Sequence, residues 1–132
     1  MASRSLNDLD SRFRPLVDQL LVTLGDGYTV ICTLRDEAEQ AANVAHGVSW
    51  TLKSKHLPQP PDGKSLAIDL APRDYLGLKY WNPTGPLWWA IAEAAVALGI
   101  RSGMDWHGVG LPALGQTRPS WDPGHCELDI AP

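Results

Sequence analysis

The sequence predicts an α+β fold in which a small antiparallel sheet packs with about three helices. Three observations lead to this prediction: apolar residues recur at helical spacing near the N-terminus, an apolar helical segment follows Pro86, and short apolar or β-branched runs lie between and after them. The chain has 132 residues, of which 44% are hydrophobic. That length suits a single domain, residues 1–132, with one core that needs no disulfide bonds.

Three segments carry helix signals. Apolar residues from Leu6 to Leu21 follow helical spacing, and Gly25 or Gly27 is expected to end this first helix. Asp36, followed three residues later by a glutamate, resembles a capping box and predicts the start of a second helix that Gly47 ends. The third helix is predicted from Pro86 to Leu98, because proline suits a first turn and a glycine follows. The inner side of the second helix is predicted to carry Ala38, Ala41, Ala42 and Ala45.

Four short runs are candidate strands. Tyr28 to Thr33 is apolar and β-branched, and Leu66 to Leu70 is a second run of this kind. Two shorter candidates follow the third helix, at Ile100 to Trp106 and at His125 to Ile130, with a Gly/Pro-rich segment between them. These runs are expected to form the antiparallel sheet.

The two cysteines, Cys32 and Cys126, are predicted to be buried free thiols, since they are far apart and lie within apolar runs. Neither has the spacing of a cysteine-based zinc site. If His125 begins a strand, the two-residue period turns Cys126 toward the core and places Glu127 on the same face as His125. Glu127 is therefore a candidate partner for that histidine.

Two histidines and two carboxylates suit a catalytic zinc site. Such a site needs three protein ligands, an open position for water, and a nearby carboxylate that takes the proton of that water. His56, Asp69 and His125 are the candidate metal ligands, and Asp122 is the candidate catalytic base. The cofactor that this set predicts is Zn²⁺.

Four short motifs occur in an order that resembles a known family. They are Ser54–His56, Ala67–Asp69, Gly103–Trp106 and Asp122–His125. In this order they are similar to the zinc D-Ala-D-Ala carboxypeptidase and L-alanyl-D-glutamate endopeptidase family, to which many phage endolysins belong. The resemblance extends from about Leu16 to Asp129 and implies a hedgehog/DD-peptidase-like fold whose sheet carries the zinc site.

The resemblance also implies roles for residues outside the ligand set. Arg35 matches the arginine of the family's segment before a helix, which implies a catalytic and substrate-binding residue that pairs with a substrate carboxylate or stabilises the developing oxyanion. The alternative for Arg35 is an ordinary surface salt bridge. Ser54 is a candidate substrate-binding residue, with turn capping as its alternative. Trp106 is expected to form a wall of the cleft and bind substrate.

One departure from the family concerns the spacing between the first histidine and the aspartate. Twelve residues, Leu57 to Ile68, intervene here, more than in the family's compact form, and they include three prolines and a glycine. Such an insertion is typical of a surface loop. Asp69 remains the expected ligand because it follows an apolar run that a strand would hold rigidly, and Asp62 is the competing candidate.

The resemblance implies a zinc-dependent peptidoglycan hydrolase of the endolysin type, acting on the bacterial stem peptide. The L-alanyl-D-glutamate bond is the first choice of substrate bond. The alternatives are a D-Ala-D-Ala carboxypeptidase and a zinc-containing binding module without catalysis. We expect a monomeric peptidase domain without a separate cell-wall-binding domain.

Charge and hydropathy limit the other partners. A net charge of −4 at pH 7 argues against nucleic acid as the main partner, because phosphate binding needs a dense basic surface. The sequence has no apolar run long enough to insert into a membrane and no signal peptide at its N-terminus. We therefore expect the protein to stay in the host cytoplasm until it is released to the cell wall or periplasm.

Overall fold

The fold comes from a computed structural model that describes residues 3–45, 54–78, 85–106, 110–111 and 122–129. It confirms the α+β prediction, with three helices and a four-stranded antiparallel sheet. The helices are α1 (Arg14–Leu24), α2 (Glu37–Ala45) and α3 (Pro86–Ala97), and the strands are β1 (Tyr28–Cys32), β2 (Ala67–Pro72), β3 (Arg101–Ser102) and β4 (His125–Glu127).

The sheet has the order β1-β2-β4-β3, with all neighbours antiparallel. In its register Asp69 on β2 lies opposite Cys32 on β1 and opposite His125 on β4. Residues directly opposite each other in an antiparallel pair have Cβ atoms about 5 Å apart. The register therefore brings three residues from distant parts of the chain into one row.

The core lies between the sheet and the helices α1 and α3. Helix α3 contacts β2 and β3, and α1 contacts α3. Both helices and the sheet contribute fully or nearly fully buried side chains, among them Val17, Leu20, Ile68, Leu70, Trp88, Ile91 and Cys126. Burying each aliphatic or aromatic side chain of this size stabilises the fold by about 1.5–3 kcal/mol. The sheet is thereby held firmly behind the row of polar residues.

The predicted first helix is divided. A short 3₁₀ helix covers Leu6–Asp8, and α1 begins only at Arg14. The break occurs at Asp10, whose carboxylate accepts hydrogen bonds from the backbone and guanidinium of Arg12 and so favours a turn. Pro15 supports this start, because proline is tolerated in a first helical turn and not in the helix interior. One continuous helix from Leu6 was therefore a wrong prediction.

Helix α2 begins as predicted and buries a different side. The Asp36 carboxylate accepts the backbone N–H of Glu39 at 2.7 Å, and the Glu39 carboxylate accepts the backbone N–H of Asp36 at 3.4 Å. The prediction for the inner side was wrong, since Gln40 is buried and its amide oxygen accepts a hydrogen bond from Arg35. The predicted end at Gly47 lies outside the described residues. The alanines at the exposed positions are Ala38, Ala41, Ala42 and Ala45.

The last two strands are shorter than predicted. After β3 the chain turns, because the Ser102 hydroxyl accepts the backbone N–H of Met104 and its carbonyl accepts that of Asp105. Strand β4 ends at Glu127, and Ile130 lies outside the described residues. Within the ranges that the structure describes, none of the helices combines the length and apolar character that crossing a membrane requires.

Candidate metal centre

The sheet and one turn bring the three candidate ligands together. Asp69 and His125 are neighbours in the register of β2 and β4. His56 comes from the turn that precedes the insertion, where the Ser54 hydroxyl accepts the backbone N–H of His56 at 3.1 Å. The His56 carbonyl accepts the backbone N–H of Arg35 at 2.8 Å, which fastens this turn to the segment after β1. Backbone hydrogen bonds thus fix the origin of each ligand side chain.

His56 is oriented by a main-chain carbonyl. Its Nδ1 lies 2.7 Å from the carbonyl oxygen of Thr33. A carbonyl oxygen only accepts, so Nδ1 carries a proton and donates it. The other nitrogen, Nε2, is 3.0 Å from Oδ1 of Asp69 and has no partner of hydrogen-bonding geometry among the described residues. In the neutral imidazole, the lone pair therefore lies on the nitrogen that faces Asp69.

His125 is oriented in the same manner by a carboxylate. Its Nε2 lies 2.8 Å from Oε1 of Glu127, and its Nδ1 lies 3.0 Å from Oδ1 of Asp69. Arg101 approaches the other oxygen of Glu127 at 3.8 Å and keeps that carboxylate in a charged environment. Histidines that bind metal ions characteristically donate the second ring N–H to a carboxylate or a carbonyl, and both histidines here have such a partner.

Three electron-pair donors therefore converge at one point. Two imidazole nitrogens lie 3.0 Å from the same oxygen of Asp69, and the ring centroids of His56 and His125 are 5.1 Å apart. Lone pairs at such separations repel unless a cation lies among them, whether protons on the imidazoles or a metal ion. Two nitrogens and one carboxylate form a donor set that zinc uses in catalytic sites. The residues fit a zinc ion.

The pKa values of the site without a metal ion also show that positive charge is stabilised there. Burial lowers the pKa of His56, but the charge of Asp69, together with hydrogen bonds to Asp69 and Cys32, raises it to about 10. Burial also lowers the pKa of His125, whereas hydrogen bonds to Asp69 and Glu127 raise it to about 9. Burial raises the pKa of Asp69, and the two histidines more than reverse this and hold it below its usual range. A metal ion that binds here replaces the imidazole protons.

Cys32 lies beside the site. It is buried and free, as the sequence predicted, and Cys126 is also buried and free within the core. The Cys32 sulfur lies 3.6 Å from Nδ1 of His56, and together with Asp69 these residues are close enough to form a second candidate donor group. Nδ1 of His56, which faces the sulfur, carries the proton that it donates to the Thr33 carbonyl and so has no lone pair for a metal. The group of His56, Asp69 and His125 therefore fits a metal ion better.

Asp122 lies next to the ligands. One oxygen of its carboxylate, one of Asp69 and a ring nitrogen of His125 all lie within 4.8 Å of one another. Asp122 is exposed as a residue, yet partial desolvation of its carboxyl, and then the charge of Asp69, raise its pKa. A carboxyl with a raised pKa at this distance from the ligands has the properties of a general base and acid.

Gly103 explains how Asp122 comes this close. The Asp122 backbone donates to the carbonyl of Gly103 at 3.0 Å, and the Gly103 backbone donates to the carbonyl of His125 at 2.8 Å. A Cβ atom on Gly103 would lie 2.1 Å from the carbonyl oxygen of Asp122. Within the Gly103–Trp106 motif, the glycine is therefore required by a close main-chain approach. The carboxylate of Asp105 in the same motif accepts the backbone N–H of Gly110.

Arg35 is fixed at the border of the site. Its guanidinium donates to the Gln40 amide oxygen at 2.6 Å and to the Cys32 sulfur at 3.5 Å, and it lies 3.7 Å from Oδ2 of Asp69. The arginine is therefore positioned by buried neighbours and is not a surface salt bridge. Nothing in the sequence indicated Gln40 as its partner, because a helical glutamine is ordinarily exposed.

The two other predicted substrate-binding residues have structural contacts as well. Ser54 caps the turn that presents His56. The Trp106 ring packs against the His125 ring, with centroids 5.1 Å apart, and its carbonyl oxygen accepts from Arg101. Substrate contact by Ser54 and Trp106 stays a prediction.

Asp62, the competing ligand, lies elsewhere. It is exposed in the insertion, where the carbonyl of Pro60 accepts a hydrogen bond from the Arg12 guanidinium at 3.1 Å. The insertion forms a turn at the surface, as predicted. The structure places Asp69 beside the two histidines instead.

A cavity of about 250 Å³ adjoins the candidate ligands. Its apolar walls are Ile31 and Leu70 from the sheet, Trp88 from α3, and Pro123. Gly124 also lines it, and a Cβ atom there would lie 2.4 Å from the carbonyl oxygen of Leu70. The carboxylate residues Asp69 and Asp122 line the same cavity.

Comparisons with known proteins identify the family and the fold. The family model of the phage L-alanyl-D-glutamate peptidases matches residues 1–129. A crystal structure of the Serratia marcescens L-Ala D-Glu endopeptidase ChiX superposes with a TM-score of 0.60 at 22% identity, covering 98% of this chain and 89% of that chain. At this identity the structural likeness establishes the fold. No curated protein matches the chain. The family match spans nearly the whole sequence, and the chain belongs to the phage L-alanyl-D-glutamate peptidases.

Proposed function

We propose that this peptidase is a zinc-dependent peptidoglycan hydrolase that cleaves the L-alanyl-D-glutamate bond of the stem peptide. The observation that carries the proposal is the convergence of His56 Nε2 and His125 Nδ1 on Oδ1 of Asp69, with Asp122 alongside. Family membership supports the bond and the substrate class. We also propose that one domain carries out the reaction as a monomer, after release of the protein from the host cytoplasm to the wall.

His56, Asp69 and His125 would hold the zinc ion. When bound, zinc would lower the pKa of a coordinated water and polarise the scissile carbonyl. Asp122 accepts a proton from the attacking water and delivers it to the amine that leaves as D-glutamate is released from alanine. The position of the Asp122 carboxylate beside Asp69 and His125 suits both proton transfers.

Arg35 supplies positive charge at the same place. Its guanidinium lies 3.7 Å from Asp69 and is held by two other neighbours, so little reorganisation is needed when negative charge develops nearby. The same fixed group suits a carboxylate of the stem peptide. Removal of Arg35 is therefore expected to affect substrate affinity and turnover without releasing the metal.

The test is digestion of purified peptidoglycan, with turbidity and mass analysis of the products. Wild type, chelated and zinc-restored protein are compared with Asp122→Ala and with the control Asp26→Ala, an exposed aspartate of the turn before β1. New N-terminal D-glutamate amines that disappear with Asp122→Ala or chelation, and return with zinc, are expected.

Two other results would replace the proposal. Release of free D-Ala alone would assign a D,D-carboxypeptidase. Stoichiometric zinc binding without any product from wild-type protein would assign a binding module. Equal activity of the chelated and zinc-loaded forms would refute zinc dependence.

A further inference from the structure

We propose that the cavity beside the metal centre receives the side chain on the acyl side of the scissile bond, and that it accepts uncharged aliphatic groups larger than the methyl of alanine. The inference rests on the proposed function, because it places this side chain relative to the bond that is cut. The cavity is lined by Asp69 and Asp122, a candidate ligand and the candidate base. Its occupant is therefore adjacent to the reacting atoms.

The chemistry of the walls selects an apolar occupant. Ile31, Leu70, Trp88 and Pro123 offer aliphatic and aromatic surface, and the charged groups of the lining are carboxylates. Among the described residues, no lysine, arginine or histidine lines the cavity. An anionic side chain would leave water for apolar walls without a lysine, arginine or histidine in the described lining to pair with it, which is unfavourable.

The residues on the two sides of an alanyl-glutamate bond differ in charge, and the apolar walls favour the uncharged side chain. The acyl side carries a methyl group, and the amine side carries a carboxylate. Arg35, the cation closest to Asp69 in the described structure apart from the histidines, lies outside the cavity lining. The apolar cavity and the separate guanidinium therefore favour one orientation of the substrate, with the methyl group in the cavity and the free carboxylate of glutamate toward Arg35.

The size of the cavity extends the inference beyond alanine. A volume of about 250 Å³ is several times that of a methyl group. A water molecule occupies about 30 Å³ in the liquid, so the cavity has room for a leucine side chain and displaces water when it is filled. Each added methylene in an apolar pocket changes affinity by about tenfold or more when it is well packed.

The experiment uses three synthetic peptides that differ at one position, with L-alanine, L-leucine or L-aspartate before D-glutamate. Binding is measured on the chelated 132-residue chain by NMR of ¹³C-labelled methyl groups, and hydrolysis on the zinc-loaded protein. We expect the methyl signals of Ile31 and Leu70 to shift, the signal of the exposed Val22 to stay unchanged, and the leucine peptide to bind at least tenfold more tightly than the alanine peptide. The aspartate peptide is expected to show neither binding nor cleavage.

Two substitutions of Ile31 change the volume of the cavity in opposite senses. Ile31→Phe fills the cavity and is expected to weaken binding and cleavage of the leucine peptide more than of the alanine peptide. Ile31→Ala enlarges the cavity and is expected to increase the preference for larger side chains. Val22→Phe introduces the same aromatic side chain at a remote position that is 82% exposed and serves as the control. Ile31 is only half-buried, so its substitution should lower the stability of the fold only modestly. If Ile31→Phe does not fold, Ile31→Ala still tests the proposal.

The outcomes separate this inference from the proposed function. Cleavage of the alanine peptide with no leucine preference, or with unchanged preference in both Ile31 variants, overturns the cavity assignment and leaves the peptidase standing. Shifts of the Ile31 and Leu70 signals with the leucine peptide, but no cleavage of any peptide by zinc-loaded protein, overturn the placement at a scissile bond.

Discussion

Gly103→Ala is the substitution whose effect follows most directly from the structure. An alanine Cβ would lie 2.1 Å from the carbonyl oxygen of Asp122 and 3.0 Å from its Cβ, whereas ordinary contacts begin at 3.4 Å. The separation must therefore increase by 1.3 Å, the difference between 2.1 and 3.4 Å. The added Cβ is rigidly attached to the main chain of residue 103, and the oxygen belongs to the main chain of Asp122. Because these two segments are hydrogen-bonded to each other, the segment carrying Asp122 has to move.

The expected loss of activity follows from this displacement. A catalytic group moved by about 1 Å can lose about 100-fold in rate, and overpacking costs about 1–3 kcal/mol of stability. We expect kcat/KM on the alanyl-glutamate peptide to fall about 100-fold, chiefly through kcat. Zinc affinity should change by less than about tenfold, since His56 and Asp69 are held by other contacts.

The assay compares peptide hydrolysis, zinc content and thermal unfolding of Gly103→Ala and Gly27→Ala. Gly27 is the matched control, because a Cβ atom there meets nothing within 4 Å. It should retain wild-type activity. A folded, zinc-loaded Gly103→Ala protein with wild-type kcat/KM would refute the assigned position of Asp122. A loss of zinc parallel to the loss of rate would show that the displacement acts through His125.

Three further predictions address the ligands and the fold. Glu127→Ala should weaken zinc binding about 10–100-fold in a chelator competition, because His125 loses the acceptor of its second N–H. The control Asp129→Ala, on the same chain segment, should keep wild-type zinc affinity. Equal zinc affinities of the two variants would refute the role of Glu127. Asp69→Asn should abolish zinc binding in calorimetry and Asp62→Asn should leave it intact, and the reverse result would restore the competing ligand. Asp10 has a lowered pKa, above all through its hydrogen bond with a neighbouring guanidinium, so its contribution to stability is present above about pH 4 and is lost as the pH falls further. Urea unfolding of chelated protein should show Asp10→Asn to be about 1–3 kcal/mol less stable at pH 7 and the difference to shrink toward pH 3, whereas a difference that grows in acid would contradict the sign.

The sequence predicted most of the positions that later came together at the site. Four residues stood out because two histidines and two carboxylates, each within a short motif, suit a catalytic zinc site. They are His56, Asp69, Asp122 and His125. The choice of Asp69 over Asp62 depended on the apolar run before Asp69, which predicts a rigid strand and is a local property of the sequence. The sequence could therefore identify which residues meet, although it held no information on their distances.

Contacts made by main-chain atoms could not be predicted from the sequence. The carbonyl of Thr33 orients His56, and any residue type supplies a carbonyl. Gln40 was missed for a related reason, since four alanines on one side of α2 form an apolar stripe and the burial of Gln40 depends on Arg35 from the preceding loop. The break before α1 was predictable in part, because Pro15 lies where a continuous helix needs a backbone donor.

The means by which the site is held has a consequence for how it responds to mutation. Asp69 and His125 are fixed by the ladder between β2 and β4, and Asp122 is fixed by backbone bonds to Gly103. These constraints act on the main chain, so a core substitution that leaves the sheet paired changes the stability of the protein more than the spacing of the site. Truncation of Ile91, which is buried on α3, should therefore lower the free energy of unfolding by about 2–5 kcal/mol and leave kcat/KM of the folded fraction within severalfold of wild type. A proportionate fall in kcat/KM without loss of folded protein would show instead that packing from the helix sets the geometry of the metal centre.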